Sequence, residues 1–178
     1  MGNFSYDIKD SIAQLSFDSG SMNTLGAAVI EELGEVLAQL EAAHSTEPLL
    51  GVILAGNRLG LGAGADIGEL MAGDRGQLEA LIDRGHEVMG AIEASEFPWV
   101  ALIDGYALGG IYELSLACRA IVATERSTVG FPEIKLNIFP GLGGTQRMPR
   151  RSGLLNADDP AGDAGFTAVL GAKNFSAA

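Results

Sequence analysis

WVALIDGYALGGIYELSLACRAIVATERSTVGFPEIKLNIFPGLGGTQRMPR, residues 99–150, is the stretch from which the rest of the chain is read. Residues 99–103 are bulky and apolar and predict a strand. Asp104-Gly105 predicts a turn. Residues 106–110 then lead through Gly109-Gly110 into an apolar helical run carrying Leu114, Leu116, Ala117 and Cys118. Two carboxylates interrupt this pattern. Glu113 lies inside the apolar run, where a charge is costly unless it is paired or hydrogen-bonded. Glu133 follows Phe131-Pro132 and precedes Ile134. Two glutamates in apolar settings, beside glycines that open a helix N-terminus, point to an acid/base site with an anion-stabilising end.

Upstream, residues 12–17 alternate apolar and polar, the mark of a half-buried strand, and residues 4–9 are expected to pair with it. Residues 18–21 form a turn cluster. Asn23 or Thr24 is placed to cap the next helix. On that helix Val29, Ile30, Leu33, Val36, Leu37 and Leu40 share one face, with Glu31, Glu32 and Glu35 opposite. It is expected to end near residues 44–48. The continuous apolar run 49–54 predicts a buried strand. A glycine-rich loop follows and enters a short helix at 66–71. Residues 73–76 break the chain. The helix from 77 to about 94 is expected to turn Leu78, Leu81, Ile82, Val88, Met89 and Ile92 inward. Strand–strand–helix units thus recur, an α/β architecture. Beyond Arg150 the pattern weakens: 156–160 predicts a loop and 166–170 one or two helical turns. The expected division is a core domain at 1–151 and the start of a C-terminal helical region at 152–178.

The chain has 178 residues, enough for one domain with a sizeable core, and 47% hydrophobic against 19% charged residues marks it as globular. A net charge of −12 argues against nucleic acid as partner, since phosphate binding needs a basic footprint. It leaves room for a local anion site built from backbone N–H groups. The single cysteine, Cys118, excludes an internal disulfide and fits a reducing, cytoplasmic compartment. In its apolar helix it reads as core rather than nucleophile. Trp99 likewise reads as strand core. The opening MGNFSYDIKD shows no apolar signal segment. No apolar run reaches the roughly 18 residues of a membrane span. His44 and His86 lack partners at metal-ligand spacing, so no metal is expected. Residues 141–147 lack the Gly-Lys-Ser/Thr ending of a phosphate loop, and the third glycine of Gly62-x-Gly64-x-x-x-Gly68 comes one place late for a dinucleotide fingerprint.

GAGADI at 62–67, DGYALGG at 104–110 with Glu113 beyond it, FPE at 131–133 and PGLGGTQRMPR at 140–150 occur in this order. Together they resemble the signature region of the enoyl-CoA hydratase/isomerase (crotonase) superfamily, over roughly residues 4–150. SMNTL at 21–25 resembles the hydratase domain of multifunctional fatty-acid oxidation proteins. The resemblance implies a crotonase-like α/β fold of repeated strand–strand–helix units, lacking most of the C-terminal helical region. It implies an oxyanion hole made by the N–H groups of Ala65 and Gly110, holding the enolate of a thioester. Glu133 is then the group that moves the proton at the α-carbon, and Glu113 the one that holds and polarises water. Ala63, Gly64, Asp66, Ile67, Gly109, Pro132 and Gly141 are the implied substrate-binding positions. The implied reaction is syn addition of water to a 2-enoyl-CoA. No separate cofactor is implied, because coenzyme A is part of the substrate. A homotrimer or a dimer of trimers is the implied assembly.

Plainer readings stand beside these: the glycines as tight turns, Glu113 as a helix N-terminal acid, Glu133 as a loop acid. Arg58, Lys135, Arg147, Arg150 and Arg151 are candidates for the coenzyme A phosphates, against a default of surface solvation. Two rival functions remain: isomerisation of an enoyl-CoA in the same site, and a non-catalytic chain that binds acyl-CoA or assembles with partners. The sequence departs from the family at Ile111 and Tyr112, where a third small residue is usual, and at Asn137, where glycine is common. Ile111, β-branched beside the oxyanion donor, is expected to narrow the acyl pocket or to hinder the site. The chain also ends where the helices that complete the family domain are expected to begin.

Overall fold

The computed structural model describes residues 2–20, 22–151 and 174–176. Strands β1 (Phe4–Lys9) and β2 (Ile12–Phe17) form an antiparallel hairpin, as the alternation at 12–17 predicts. After the short strand β3 (Thr24–Leu25) comes helix α1 (Ala27–Thr46), which buries the six residues expected of its apolar face. Then follow β4 (Gly51–Ala55), β5 (Gly60–Gly62), β6 (Gly64–Ala65), α2 (Ile67–Ala72) and α3 (Arg75–Ala94). The central stretch supplies β7 (Trp99–Ile103), β8 (Tyr106–Leu108), α4 (Gly110–Ala117), β9 (Ala120–Ala123) and β10 (Thr128–Gly130). A 3-10 turn at Glu133–Leu136, helix α5 (Gly144–Arg151) and strand β11 (Asn174–Ser176) complete the described chain.

One sheet runs β1-β2-β4-β7-β9 and is parallel from β2 onward. A second runs β11-β10-β8-β5, and β3 pairs with β6 in a two-stranded ribbon. β4 and β7 are inner strands of the parallel part and mostly buried, in keeping with their continuous apolar runs. The core joins α1 and α3 to these strands through Leu33, Leu40, Leu54, Met89, Trp99 and Ile103.

Three local expectations are corrected. Neither Asn23 nor Thr24 caps α1: its N-cap is Gly26, and the Ala27 N–H is met instead by the carboxylate of Glu69. Asn23 is buried in a left-handed conformation, where its amide donates to Phe17 O at 2.8 Å and its oxygen accepts from Ser19 N–H at 2.8 Å. Second, α3 begins at Arg75 behind an Asp74–Gln77 capping box. Leu78 is only half-buried, because it lines an open cleft with α1 and α2, and Ile82 is exposed beside Gly141. Third, Ile111 is fully buried and packs against Gly62 in the core. Asn137 has φ 57°, the left-handed conformation that glycine adopts freely and asparagine tolerates, and it closes the 3-10 turn. The loop expected at 156–160 and the helical turns at 166–170 lie outside the described residues, as does most of the proposed C-terminal region.

Candidate active site

Gly109 turns the chain from β8 into α4 with φ 53° and ψ −131°. Its own N–H donates to Gly130 O at 2.9 Å, tying it to the end of β10. Gly110 is then the first residue of α4, where N–H groups have no partner within the helix. Strand β6 arrives beside it. A Cβ built on Gly64 would lie 3.6 Å from Gly110 N, and one on Gly110 would lie 3.7 Å from Ala65 N. The two amides expected to form an anion hole are therefore neighbours, although Ala65 and Gly110 lie far apart in the sequence.

All eight residues of α4 are buried, Glu113 included at 1% exposure. Its Oε1 accepts from Leu142 N–H at 2.8 Å and from Gly144 N–H at 2.6 Å. Gly144 has to be small: a Cβ there would lie 2.8 Å from the Phe131 ring and 2.9 Å from Glu113 Cγ. Burial pushes the Glu113 carboxyl from 4.5 up to about 7; the Gly144 N–H opposes this, the charge of Glu133 adds to it, and Leu142 N–H and Arg147 oppose it. Glu133 follows the fully buried Phe131 and opens the 3-10 turn. Burial raises its pKa as well, against the hydrogen bond from its own N–H. Among the described residues its buried Oε2 has no hydrogen-bond partner. A Cβ on Gly109 would lie 2.7 Å from Glu133 Oε1, so this carboxylate sits directly over the β8–α4 turn.

The remaining expected positions fall into two groups. Ala63 donates its N–H to Met22 O and Asn23 O at 2.9 and 3.0 Å, and Asp66 caps α2 by accepting from Glu69 N–H at 3.0 Å, so both shape the backbone around Ala65. Ile67 is 52% exposed, and Pro132 and Gly141 are half-buried at the rim. A cleft of 510 Å³ between α1, α2 and α3 is lined by Ile30, Glu69, Leu78 and Leu81. The side chain of Leu142 lies within contact of Cβ positions on both Gly85 and Gly110.

Arg147 is corrected from a phosphate candidate to a strut. It is 8% exposed, donates to Leu142 O at 2.6 Å and pairs with Glu93 at 2.7 Å, so it fixes the loop whose amides hold Glu113. Arg151 donates to Cys118 O, whereas Arg58, Lys135 and Arg150 are exposed. Cys118 is fully buried and its thiol is pushed up to about 12 by burial, so it is inert as a nucleophile. The sequence reading missed the Leu142 and Gly144 amides, Arg147–Glu93 and Glu69. The glycine pair 143–144 was a readable signal of close approach; the others are long-range contacts with no local signature.

The shifted Glu113 has a thermodynamic consequence. Its folded value, about 7, lies above the ordinary 4.5, so the folded state binds more protons between the two. Stability from this group is full at low pH and falls as pH rises through about 7. Glu113→Gln keeps an oxygen acceptor for the two amides and removes the titration. It is expected to lessen the loss of stability between about pH 5 and 7 by roughly 1 kcal/mol per pH unit, measured by urea unfolding. An unchanged slope would place the titration elsewhere.

Residues 7–161 match the model of the enoyl-CoA hydratase/isomerase family. The fatty acid oxidation complex subunit alpha of Shewanella baltica (strain OS185) is 41% identical over 155 residues, covering 84% of this chain and 22% of that protein. The corresponding subunit of Idiomarina loihiensis is 37% identical over 153 residues, covering 84% and 21%. The chain thus spans about a fifth of the length of these curated relatives. Among solved structures, an enoyl-CoA hydratase from Bacillus anthracis has a TM-score of 0.84 at 32% identity, covering 99% of this chain and 65% of that one. An enoyl-CoA hydratase from Thermoplasma volcanium GSS1 has a TM-score of 0.86 at 20% identity, covering 98% and 66%, and bears on the fold alone.

Proposed function

Because the chain belongs to the enoyl-CoA hydratase/isomerase family, we propose that it adds water across the 2,3 double bond of an enoyl-CoA thioester. The observation that carries this reading is the pair of buried glutamates, Glu113 and Glu133, beside the adjacent amides of Ala65 and Gly110.

In this reading the thioester oxygen lies between the two N–H groups. It gains negative charge as the α-carbon becomes enolate-like, and the N-terminal end of α4 favours that charge. One such donor is worth about 10²- to 10³-fold in rate. Glu113, its Oε1 anchored by two amides, holds the water. Glu133 carries the proton that ends on the α-carbon, and its raised pKa suits a group that is to carry a proton near neutral pH. The water oxygen bonds to the β-carbon, the C=C π pair bonds the proton delivered to the α-carbon, and the proton shed by water returns to the glutamate pair. The cleft between α1, α2 and α3 offers the acyl chain apolar walls at Ile30, Leu78 and Leu81. Ala63, Gly64, Asp66, Ile67, Gly109, Pro132 and Gly141 line or shape the thioester end. Coenzyme A enters with the substrate, and no separate cofactor takes part. A reducing cytoplasmic setting and a homotrimer or dimer of trimers complete the proposal.

Crotonyl-CoA tests it. Its conjugated enoyl absorbance is expected to disappear on incubation with the protein, at a rate proportional to enzyme concentration. A 3-enoyl-CoA supplied instead reports isomerisation, which needs only the Glu133 proton shuttle and would make that absorbance appear. Crotonyl-CoA bound without either change would replace the hydratase reading with that of a non-catalytic acyl-CoA-binding chain.

A further inference from the structure

We propose that Glu69 is a positioning residue that holds the Ala65 N–H in place beside the Gly110 N–H without contacting substrate. The inference rests on the reading that these two amides receive the thioester oxygen.

Ala65 is followed at once by Asp66 and helix α2, and α2 is poorly anchored by packing. None of its six residues is buried, and Ile67 and Met71 are 52% and 83% exposed. Apolar burial therefore supplies little to fix the backbone on the far side of Ala65. Polar contacts take over. Asp66 N–H donates to Leu25 O at 3.0 Å. Asp66 Oδ1 accepts from Glu69 N–H at 3.0 Å. The Glu69 carboxylate accepts from Ala27 N–H, with both oxygens at 3.1 Å. Ala27 lies two positions after Leu25, so these bonds close a ring through β3, α1 and α2. The side chain of Leu25 in the same ring lies 3.5 Å from the position of a Cβ on Gly110, behind the second donor.

Gly26 fits this arrangement. It is the N-cap of a helix of 20 residues, yet it contributes no side-chain cap, and its φ of −107° is open to any residue. A Cβ there would overlap Glu69 Oε2 and lie 3.4 Å from Glu69 Cδ. The space that a cap side chain would occupy is filled by a carboxylate from 42 positions further on, in the place where the α1 dipole favours negative charge. Glu69 thereby couples α1, which is packed into the core, to the unpacked α2 and so to Ala65.

The test uses Glu69→Ala, Glu69→Gln, Gly26→Ala and the Glu69→Ala/Gly26→Ala double variant of this chain. The primary readout is the amide of Ala65 and the exchange rate of the Asp66 N–H by NMR. Glu69→Ala is expected to shift the Ala65 amide resonance and to speed Asp66 exchange by about 10-fold. It is expected to lower kcat for crotonyl-CoA by about 10-fold with KM within about 2-fold, since a misplaced donor costs most in the transition state. Glu69→Gln retains an oxygen acceptor for Ala27 N–H and is expected to restore most of kcat. Gly26→Ala is expected to reproduce the Glu69→Ala result, and the double variant to add nothing further, as two changes in one contact should. If Glu69→Ala merely lowers the melting temperature while the Ala65 and Asp66 amides stay unchanged, Glu69 is a helix cap and the proposal fails. A parent protein that does not hydrate crotonyl-CoA would defeat the hydratase reading alone. The two amides would then still decide whether Glu69 positions Ala65.

Discussion

Replacing Glu133 by Gln is expected to lower kcat for crotonyl-CoA by about 10³-fold, close to 4 kcal/mol of transition-state stabilisation, while binding of the thioester changes little. The substitution keeps the side-chain volume in a position that is 9% exposed. It removes only the capacity to carry a proton. The stability cost is expected to be small or favourable, because burial already disfavours the charged form of Glu133. Steady-state kinetics with crotonyl-CoA and equilibrium binding of the same ligand separate the two effects. A variant that turns over as fast as the parent would remove Glu133 from the chemistry. A variant that no longer binds would make it a binding residue instead.

Gly109→Ala is the second large effect, and here structure and chemistry fail together. The backbone at φ 53° and ψ −131° lies outside the regions comfortable for an L side chain, so an alanine there is strained by about 1–3 kcal/mol. Its Cβ would also lie 2.7 Å from Glu133 Oε1, 3.3 Å from Glu133 Cδ and 3.6 Å from Gly64 Cα. The added methyl must push away either the Glu133 carboxylate or the β6 backbone next to Ala65. Loss of activity by about 100-fold or more is expected, with a lowered melting temperature. Gly90→Ala is the matching control. Gly90 lies inside α3 with nothing within 4 Å of the new Cβ, so it is expected to gain about 0.5–1 kcal/mol in stability at unchanged kcat. If both variants lose activity equally, the Gly109 argument fails, because the loss would not depend on the site.

The elements of this fold were legible where one physical signal dominated. The apolar face of α1 was legible residue by residue, because helical periodicity and burial in the core demand the same six positions. Strands β4 and β7 were legible as unbroken apolar runs, since both lie inside the parallel part of the sheet and are largely buried. Strands β9 and β10 were not singled out. Ala120–Ala123 is largely exposed and Thr128–Gly130 is short, so neither alternation nor a continuous apolar run marks them. Ile82 is exposed for a related reason: periodicity places a residue on a face, but only the tertiary packing decides whether a neighbour covers it.

The candidate site divides in the same way. Glu113, Glu133, Gly109 and Gly110 were readable because each is locally anomalous, as a charge in an apolar run or a glycine pair where a strand becomes a helix. Sequence alone determined the α/β class, the order of the units and the residue types able to do acid/base work. It did so because propensity, periodicity and the cost of burying charge act over a few residues at a time. Tertiary structure alone decided that Ala65 and Gly110 are neighbours, that Glu113 is held by the Leu142 and Gly144 amides, that Arg147 belongs to Glu93, and that α1 is capped by Glu69. Each of these contacts joins groups brought together only by the crossovers between parallel strands. Hydrogen bonds and burial reward that proximity, but no local property of the chain encodes it.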